Sequence, residues 1–391
     1  MNLLIKPASG ACNMRCRYCF YEDEMQHRKV GLMGMMSHEI LETVVRKSLE
    51  TATVECNFMF QGGEPTLVGL DFYRALIGFV KKHNVHRLHV GFSIQTNGYD
   101  VGTDWVKFFA ANHFLVGLSL DGPREFHNAV RVDTAGKGSY DRILHTVSLL
   151  NKYNVEYNVL SVVTGTSARS ASRIFRFFAD HGFAFQQYIP CLDPLEGEKC
   201  EWSLTSERYG DFLCRIFDEW YASILAGKYV YHRTFENWMT ILLGGIPENC
   251  GMSGICSPQY VVEADGSVYP CDFYVLDEYR LGNLVTDGFE TLDQRREKLR
   301  FIEASKVLHP DCNSCEWLAL CRGGCRRERV PDPNAPDLPP KHRFCEAFRR
   351  FFPYAADRLA DAARRLYYRN LYAKYGQNGG GHKSGLGKNR F

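Results

Sequence analysis

From Met1 to about residue 190, short apolar and β-branched runs alternate with longer stretches in which apolar side chains recur every three or four positions. The first texture suits a buried strand and the second a helix with one covered face. Strands are expected at Leu3 to Lys6, Cys56 to Phe60, His89 to Gln95, Leu115 to Leu120, Glu156 to Val163 and Ala184 to Ile189. Helices are expected at Ser37 to Glu50, Asp71 to His83, Asp104 to Asn112, Ser139 to Asn151 and Ala168 to His181, several opened by Ser or Asp as capping candidates. This alternation predicts an α/β fold with a parallel sheet. Six strands predict an open, partial (β/α)6 barrel rather than a closed eight-stranded one.

Beyond residue 199 the pattern changes twice. Residues 200–245, rich in Trp, Tyr, Phe and Leu, read as a helical connection. Residues 246–346 are dominated by Cys, Gly, Pro and Arg with a short strand at Gln259 to Glu263, and are expected to form a second domain. Residues 347–391 then comprise an amphipathic helix, starting near Glu346 and running to Tyr375, and a Gly and Lys tail. That tail, Gly376 to Phe391, has nothing to bury and is expected to be disordered. No internal repeat is seen.

A chain of 391 residues with 45% hydrophobic content can bury a large core. Its 47 Lys and Arg nearly balance 45 Asp and Glu, so no overall field favours nucleic acid or an anionic membrane as partner. The start MNLLIKPASG lacks the charged region and apolar stretch of a secretory signal, and no run of about twenty apolar residues follows. A cytoplasmic location is therefore expected. Fifteen cysteines in a compartment that keeps thiols reduced point to metal rather than to disulfides.

The spacing of those cysteines narrows the metal. Cys12, Cys16 and Cys19 share one short loop, CxxxCxxC, where three thiolates converge with no fourth ligand nearby. A structural zinc site wants four ligands, whereas a cubane iron-sulfur cluster tolerates three and leaves one iron open. Eight more, Cys250, Cys256, Cys271, Cys312, Cys315, Cys321, Cys325 and Cys345, make two sets of four. Two zinc sites satisfy the same count, and spacing favours iron only modestly. Cys56, Cys191, Cys200 and Cys214 lie on strand or helix patterns and read as core residues, with Cys191 also placed to line a site.

The distinctive strings follow the strands: CNMRCRYC after the first, QGGEP after the second, TNG after the third, DGP after the fourth. In parallel barrels the carboxyl ends of the strands carry the chemistry. With Gly62-Gly63-Glu64-Pro65 and the run Cys312-x2-Cys315-x5-Cys321-x3-Cys325, the chain resembles the radical S-adenosylmethionine (SAM) superfamily and its members with a C-terminal SPASM iron-sulfur domain. FQGGEPTL, QTNG, LVGLSLDGP, CLDPL and DGSVYPCDFYVLD make it resemble the anaerobic sulfatase-maturating enzymes, over Leu3 to about Phe352.

The resemblance implies three 4Fe-4S clusters and SAM as cofactors. The loop of Cys12, Cys16 and Cys19 would hold the cluster whose open iron chelates SAM, which is split to methionine and a 5′-deoxyadenosyl radical. Gly63 would lie against the methionine moiety, Ser119 and Arg131 would hold polar groups, and Tyr18 and Leu192 would flank the nucleoside. Cys250, Cys256, Cys271 and Cys325 would bind one auxiliary cluster, and Cys312, Cys315, Cys321 and Cys345 the other.

The implied substrate is a Cys or Ser in a CxPxR or SxPxR motif of an unfolded or nascent sulfatase. The radical takes hydrogen from its Cβ, Asp272 takes the thiol or hydroxyl proton, the remaining electron leaves the substrate, and a cysteine-derived thioaldehyde hydrolyses to Cα-formylglycine. Tyr21 and Gln61 would face the substrate Cβ, and a flavodoxin or ferredoxin would supply electrons. A cluster beside Asp272 would raise its pKa toward useful base strength. Read by itself, Asp272 serves equally well as a turn cap. Two rival functions stand beside this one: a maturase forming thioether or carbon-carbon crosslinks in ribosomal peptides, and a non-enzymatic electron carrier.

Overall fold

Neighbouring strands in the first half pair in chain order, each parallel to the last. In the computed structural model, which describes residues 1–196 and 199–375, they are β1 (Asn2–Ile5), β2 (Glu55–Phe60), β3 (His89–Thr96), β4 (Leu115–Ser119), β5 (Tyr157–Val163) and β6 (Phe185–Pro190). The intervening helices are α1 (Phe20–Gln26), α2 (His38–Thr51), α3 (Leu70–His83), α4 (Thr103–Ala111), α5 (Arg124–Val130), α6 (Tyr140–Lys152) and α7 (Ala171–Asp180). The expected partial barrel is present, and its sheet stays open. Two helices, α1 and α5, were not expected. At seven residues each they hold too few turns for a 3.6-residue repeat to register.

Strand alternation divides the barrel's two faces. Cys56, Phe58 and Phe60 of β2 are buried, with Phe60 packed on Phe72 and Tyr73 of α3. Asn57, Met59 and Gln61 lie in the opposite phase, so Gln61 belongs to the inner face. Helix α2 buries Leu41, Val44, Val45, Ser48 and Leu49, one stripe of its surface, and Ser37 caps it by accepting from the Ile40 amide at 3.2 Å. Ser139 does not cap α6. Its hydroxyl hydrogen-bonds His127 Nε2 at 2.8 Å and donates to the Arg131 carbonyl at 3.2 Å, holding Arg131 in place.

The sheet continues past the barrel into the second domain. β7 (Tyr231–His232) adds to β6, while β8 (Tyr260–Val262) pairs parallel with β1, followed by antiparallel β9 (Ser267–Tyr269) and β10 (Gly282–Asn283), giving ten strands in all. β8 covers what would be a bare edge of β1. Its register, Leu3 opposite Tyr260 and Ile5 opposite Val262, brings the segment carrying Cys271 and Asp272 alongside the start of the chain.

The expected connection contains α8 (Ser206–Leu225) and α9 (Arg233–Leu242), against which the C-terminal helix Cys345–Tyr375 packs. Phe351 meets Phe217, Phe235 and Trp238 with ring centroids 5.0–5.9 Å apart. The tail from Gly376 to Phe391 lies outside the described residues. Of the four spare cysteines, Cys56 and Cys191 are buried and Cys214 is half-buried; Cys200 is exposed, so it is no core residue. Among the described residues no helix is long and apolar enough to cross a membrane.

Candidate active site

The loop after β1 carries Cys12, Cys16 and Cys19, each half-buried. Helix α1 starts immediately after Cys19, with the Tyr21 and Glu22 amides directed at its sulfur. Cys12 Sγ accepts from the Met14 amide at 3.4 Å and from Asn97 Nδ2 at 3.6 Å, and Cys16 Sγ faces Arg131 Nη1 at 3.7 Å. All these donors favour charged sulfur. Burial nevertheless pushes the Cys12 thiol up to about 11 and the Cys16 thiol up to about 12, with neighbouring thiols adding to both. Thiols so placed give up their protons most readily to a metal centre that takes the sulfur as ligand.

The QGGEP strand end braces this loop. The Gly63 amide donates to the Ser9 carbonyl at 2.9 Å and that of Glu64 to the Ala11 carbonyl at 2.7 Å. A Cβ on Gly63 would meet the Ala11 oxygen at 2.1 Å, so the close approach of the two backbones requires glycine. Buried Glu64 accepts from the amides of Thr66 and Asn97 and from the hydroxyls of Thr66 and Thr96, at 2.6–3.1 Å. It therefore locks the ends of β2 and β3 together, with its lone pairs committed.

Across the loop, Asp121 joins two of the expected SAM contacts. Its Oδ2 accepts from Tyr18 OH and, at 3.0 Å, from Arg131 Nε, while Oδ1 accepts from the Val162 amide at 2.9 Å. Ser119 Oγ accepts from Gln95 Nε2 at 3.1 Å. Leu192, half-buried, follows β6 on a segment clamped from the second domain: Arg343 donates to the Cys191 carbonyl and pairs with Asp193 at 3.0 Å. Thus Tyr18, Gly63, Ser119 and Leu192 lie at the carboxyl ends of the strands or on the loops leaving them, and Arg131, at the C-terminal end of α5, reaches them through Asp121.

The other eight cysteines separate in space into two groups that cross in sequence. Cys250, Cys256, Cys271 and Cys325 line one largely apolar cavity, with Asp272 and Arg326 in its wall. Cys321 is grouped instead with Cys345, Cys312 and Cys315, the thiols that act most on its own. Among the described residues no three His, Cys, Asp or Glu side chains converge on a single metal ion. Sets of four thiols with no other ligand type suit an iron-sulfur cluster, whose irons are held by cysteine sulfur.

Asp272 stands where the two domains meet. It is 8% exposed, and its Oδ2 accepts from Tyr21 OH at 2.7 Å and Gln61 Nε2 at 3.1 Å, while Gln61 also donates to Tyr21 at 2.6 Å. Oδ1 has no hydrogen-bond partner among the described residues. Behind it, Lys6 Nζ lies 3.3 Å from Glu263, 3.9 Å from Glu24 and 4.5 Å from the Tyr21 ring centre, and Arg28 bonds Glu263 at 2.7 Å. Helix α1 supplies Tyr21 and Glu24 three residues apart on its buried face.

Two cations here face three carboxyls, Glu24, Glu263 and Asp272, so the buried group is neutral only when it retains one proton. Salt bridges to Lys6 and Arg28 pull Glu263 below the usual range against the effect of burial. Burial raises both others, Glu24 to about 8 with the nearby Asp272 charge adding to the shift. The retained proton is shared between these two.

The radical SAM superfamily model matches residues 7–178, and that of the SPASM iron-sulfur cluster-binding domain matches residues 254–316. A cysteine-type anaerobic sulfatase-maturating enzyme of Clostridium novyi is 46% identical over 371 residues, covering 94% of this chain and 99% of its own. The chain belongs to the anaerobic sulfatase-maturating enzymes. A serine-type member from Bacteroides thetaiotaomicron is 30% identical, with 90% of this chain and 89% of its own covered. The solved structure of native anSMEcpe with bound AdoMet and Kp18Cys peptide superposes with a TM-score of 0.88 at 42% identity, covering 93% of this chain and 99% of that one.

As a sulfatase-maturating enzyme the chain is a protein-modifying oxidoreductase, and neither the crosslinking maturase nor the electron carrier is needed to explain it. Sequence reasoning missed Lys6, Glu24, Glu263 and Asp121. The last was within reach, in the DGP string after a strand, but nothing local marks the other three. With Asp272 as the base in this sulfatase-maturating enzyme, replacing Glu263 with Gln is expected to move the acid limb of the aldehyde-forming kcat/KM profile to lower pH. Glu263 stays ionised there, and removing its negative charge lowers the raised pKa of Asp272, so that carboxylate is free at lower pH. An unmoved acid limb would count against coupling of the two carboxyls.

Proposed function

We propose that this sulfatase-maturating enzyme prefers cysteine, oxidising it within the CxPxR motif of an unfolded or nascent sulfatase to Cα-formylglycine, with the SxPxR serine as the weaker substrate. The observation that carries the chemistry is Asp272: buried, held at one oxygen by Tyr21 and Gln61, and with the other oxygen unengaged among the described residues. Cysteine preference rests on the cysteine-type relative at 46% identity against the serine-type one at 30%.

In this reading Cys12, Cys16 and Cys19 hold a 4Fe-4S cluster with an open iron. When bound, that cluster and SAM supply a 5′-deoxyadenosyl radical able to take hydrogen from the substrate Cβ. Gly63 leaves room beside the cluster loop, Ser119 and Arg131 hold SAM's polar groups, and Tyr18 and Leu192 flank its nucleoside. Asp272 accepts the substrate thiol proton, and Tyr21 and Gln61 keep its carboxylate aimed. Cys250, Cys256, Cys271 and Cys325 hold one auxiliary 4Fe-4S cluster; Cys312, Cys315, Cys321 and Cys345 hold the other. The reductant is a flavodoxin or ferredoxin, and the reaction takes place in the cytoplasm, where thiols stay reduced.

The test is a matched pair of peptides, CxPxR and SxPxR, incubated with the reduced, anaerobically reconstituted enzyme and SAM. Mass spectrometry should show aldehyde formed faster from the cysteine peptide. Equal or greater rates on the serine peptide would remove the cysteine assignment, and no aldehyde from either would remove the proposed chemistry.

A further inference from the structure

Arg329 is 9% exposed, and each of its five N–H donors ends on a backbone carbonyl. Nε donates to Gly323 at 2.9 Å, Nη1 to Ser305 at 2.6 Å and Val307 at 3.0 Å, and Nη2 to Gly254 at 2.9 Å and Gly324 at 3.0 Å. Three of these five acceptors belong to the turns that carry auxiliary cysteines. Gly254 lies between Cys250 and Cys256, and Gly323 and Gly324 lie between Cys321 and Cys325. The Ser305 hydroxyl accepts from the Cys256 amide at 2.9 Å. All three glycines have positive φ, of 75°, 77° and 62°, a backbone shape that favours glycine in building this fork.

The guanidinium is satisfied as a hydrogen-bond donor and unsatisfied as a charge. The ionisable groups that act most on it are the thiols of Cys256 and Cys325 from one set and of Cys312 and Cys321 from the other, and among the described residues no carboxylate forms a salt bridge with it. A buried cation without an anion is costly, and burial lowers its pKa accordingly. Thiolates carrying iron would supply the missing counter-charge from both sides.

We propose that Arg329 is the counter-ion shared by the two auxiliary clusters, pinning the Cys321 to Cys325 turn between them and holding both reduction potentials up. The inference rests on reading the eight cysteines as two clusters. Reduction adds one negative charge to a cluster, so a fixed buried cation stabilises the reduced form and its removal lowers the potential. Arg329 is in this sense a positioning residue that leaves the substrate untouched.

The experiment uses the full chain with Cys12, Cys16 and Cys19 changed to Ala, so that only auxiliary clusters assemble, and adds Arg329→Met or Arg329→Lys. Iron content is measured, and each cluster's potential is followed by electron paramagnetic resonance during redox titration. Arg329→Met should shift both signals to lower potential. Arg329→Lys, keeping the charge with three donors for five, should stay nearer the parent. Unchanged potentials in Arg329→Met, or a shift in one cluster alone, would overturn the proposal. Should Arg329→Met lose iron, full iron and near-parent potentials in Arg329→Lys would support the counter-ion role, and equal loss in both variants would overturn it. A parent lacking two auxiliary signals would instead overturn the two-cluster reading.

Discussion

Changing Asp272 to Asn is expected to leave release of 5′-deoxyadenosine from SAM intact while lowering aldehyde formation on a CxPxR peptide by about 10²–10⁴-fold, the usual span for losing a general base. Asn keeps the shape and still accepts from Tyr21 and Gln61, which now meet at one carboxylate oxygen. It removes the basic oxygen pair. The change should not cost folding, because the group of two cations and three carboxyls then becomes two against two, with no proton to retain. Chromatography of the nucleoside and mass spectrometry of the peptide read the two products separately. Undiminished aldehyde in the variant would end the assignment of Asp272 as base.

Changing Lys6 to Met should have the largest effect on stability. Lys6 is 2% exposed and lies between Glu24 and Glu263, so its loss leaves buried carboxylates facing Arg28 alone. Breaking a buried ion pair by removing one partner costs about 3–5 kcal/mol. The deficit should grow with pH. The folded pKa of Glu24, about 8, is raised above its unfolded value, so this residue's contribution to stability is complete at acid pH and is lost as pH rises through about 8. In the parent, Lys6 is there to neutralise Glu24 as it ionises; in the variant it is not. Melting temperatures of both proteins across this range should therefore diverge upward in pH, and coincident curves would refute the argument.

The same few residues mark where sequence reading succeeds and fails. β2 was legible because Cys56, Phe58 and Phe60 alternate with Asn57 and Met59, and α2 because its apolar residues fall on one stripe. α1 was not, although it bears Tyr21 and Glu24, because seven residues give no usable period. Gly63 stood out as a motif, but the reason for glycine, the Ala11 carbonyl against it, comes from another segment. Ser139 looked like a cap and instead braces Arg131 through its hydroxyl, a choice set by where α5 ends.

The sequence by itself determined what depends on neighbours along the chain: strands and helices with enough repeats to show a period, and three cysteines close enough together to share a metal centre. Its longer strings also pointed to the family by resemblance. Only the tertiary structure decided which distant groups meet. The pairing of β8 with β1 sets Lys6 beside Glu263 and brings Asp272 to Tyr21, 251 positions away in the chain. The packing of the later segments likewise gathers Cys250 and Cys325 in one cavity and gives Arg329 its five carbonyls. Backbone hydrogen bonds of a sheet form irrespective of side-chain identity, so no residue at either strand announces its partner, and the charges they bring together become visible only once the chain is folded.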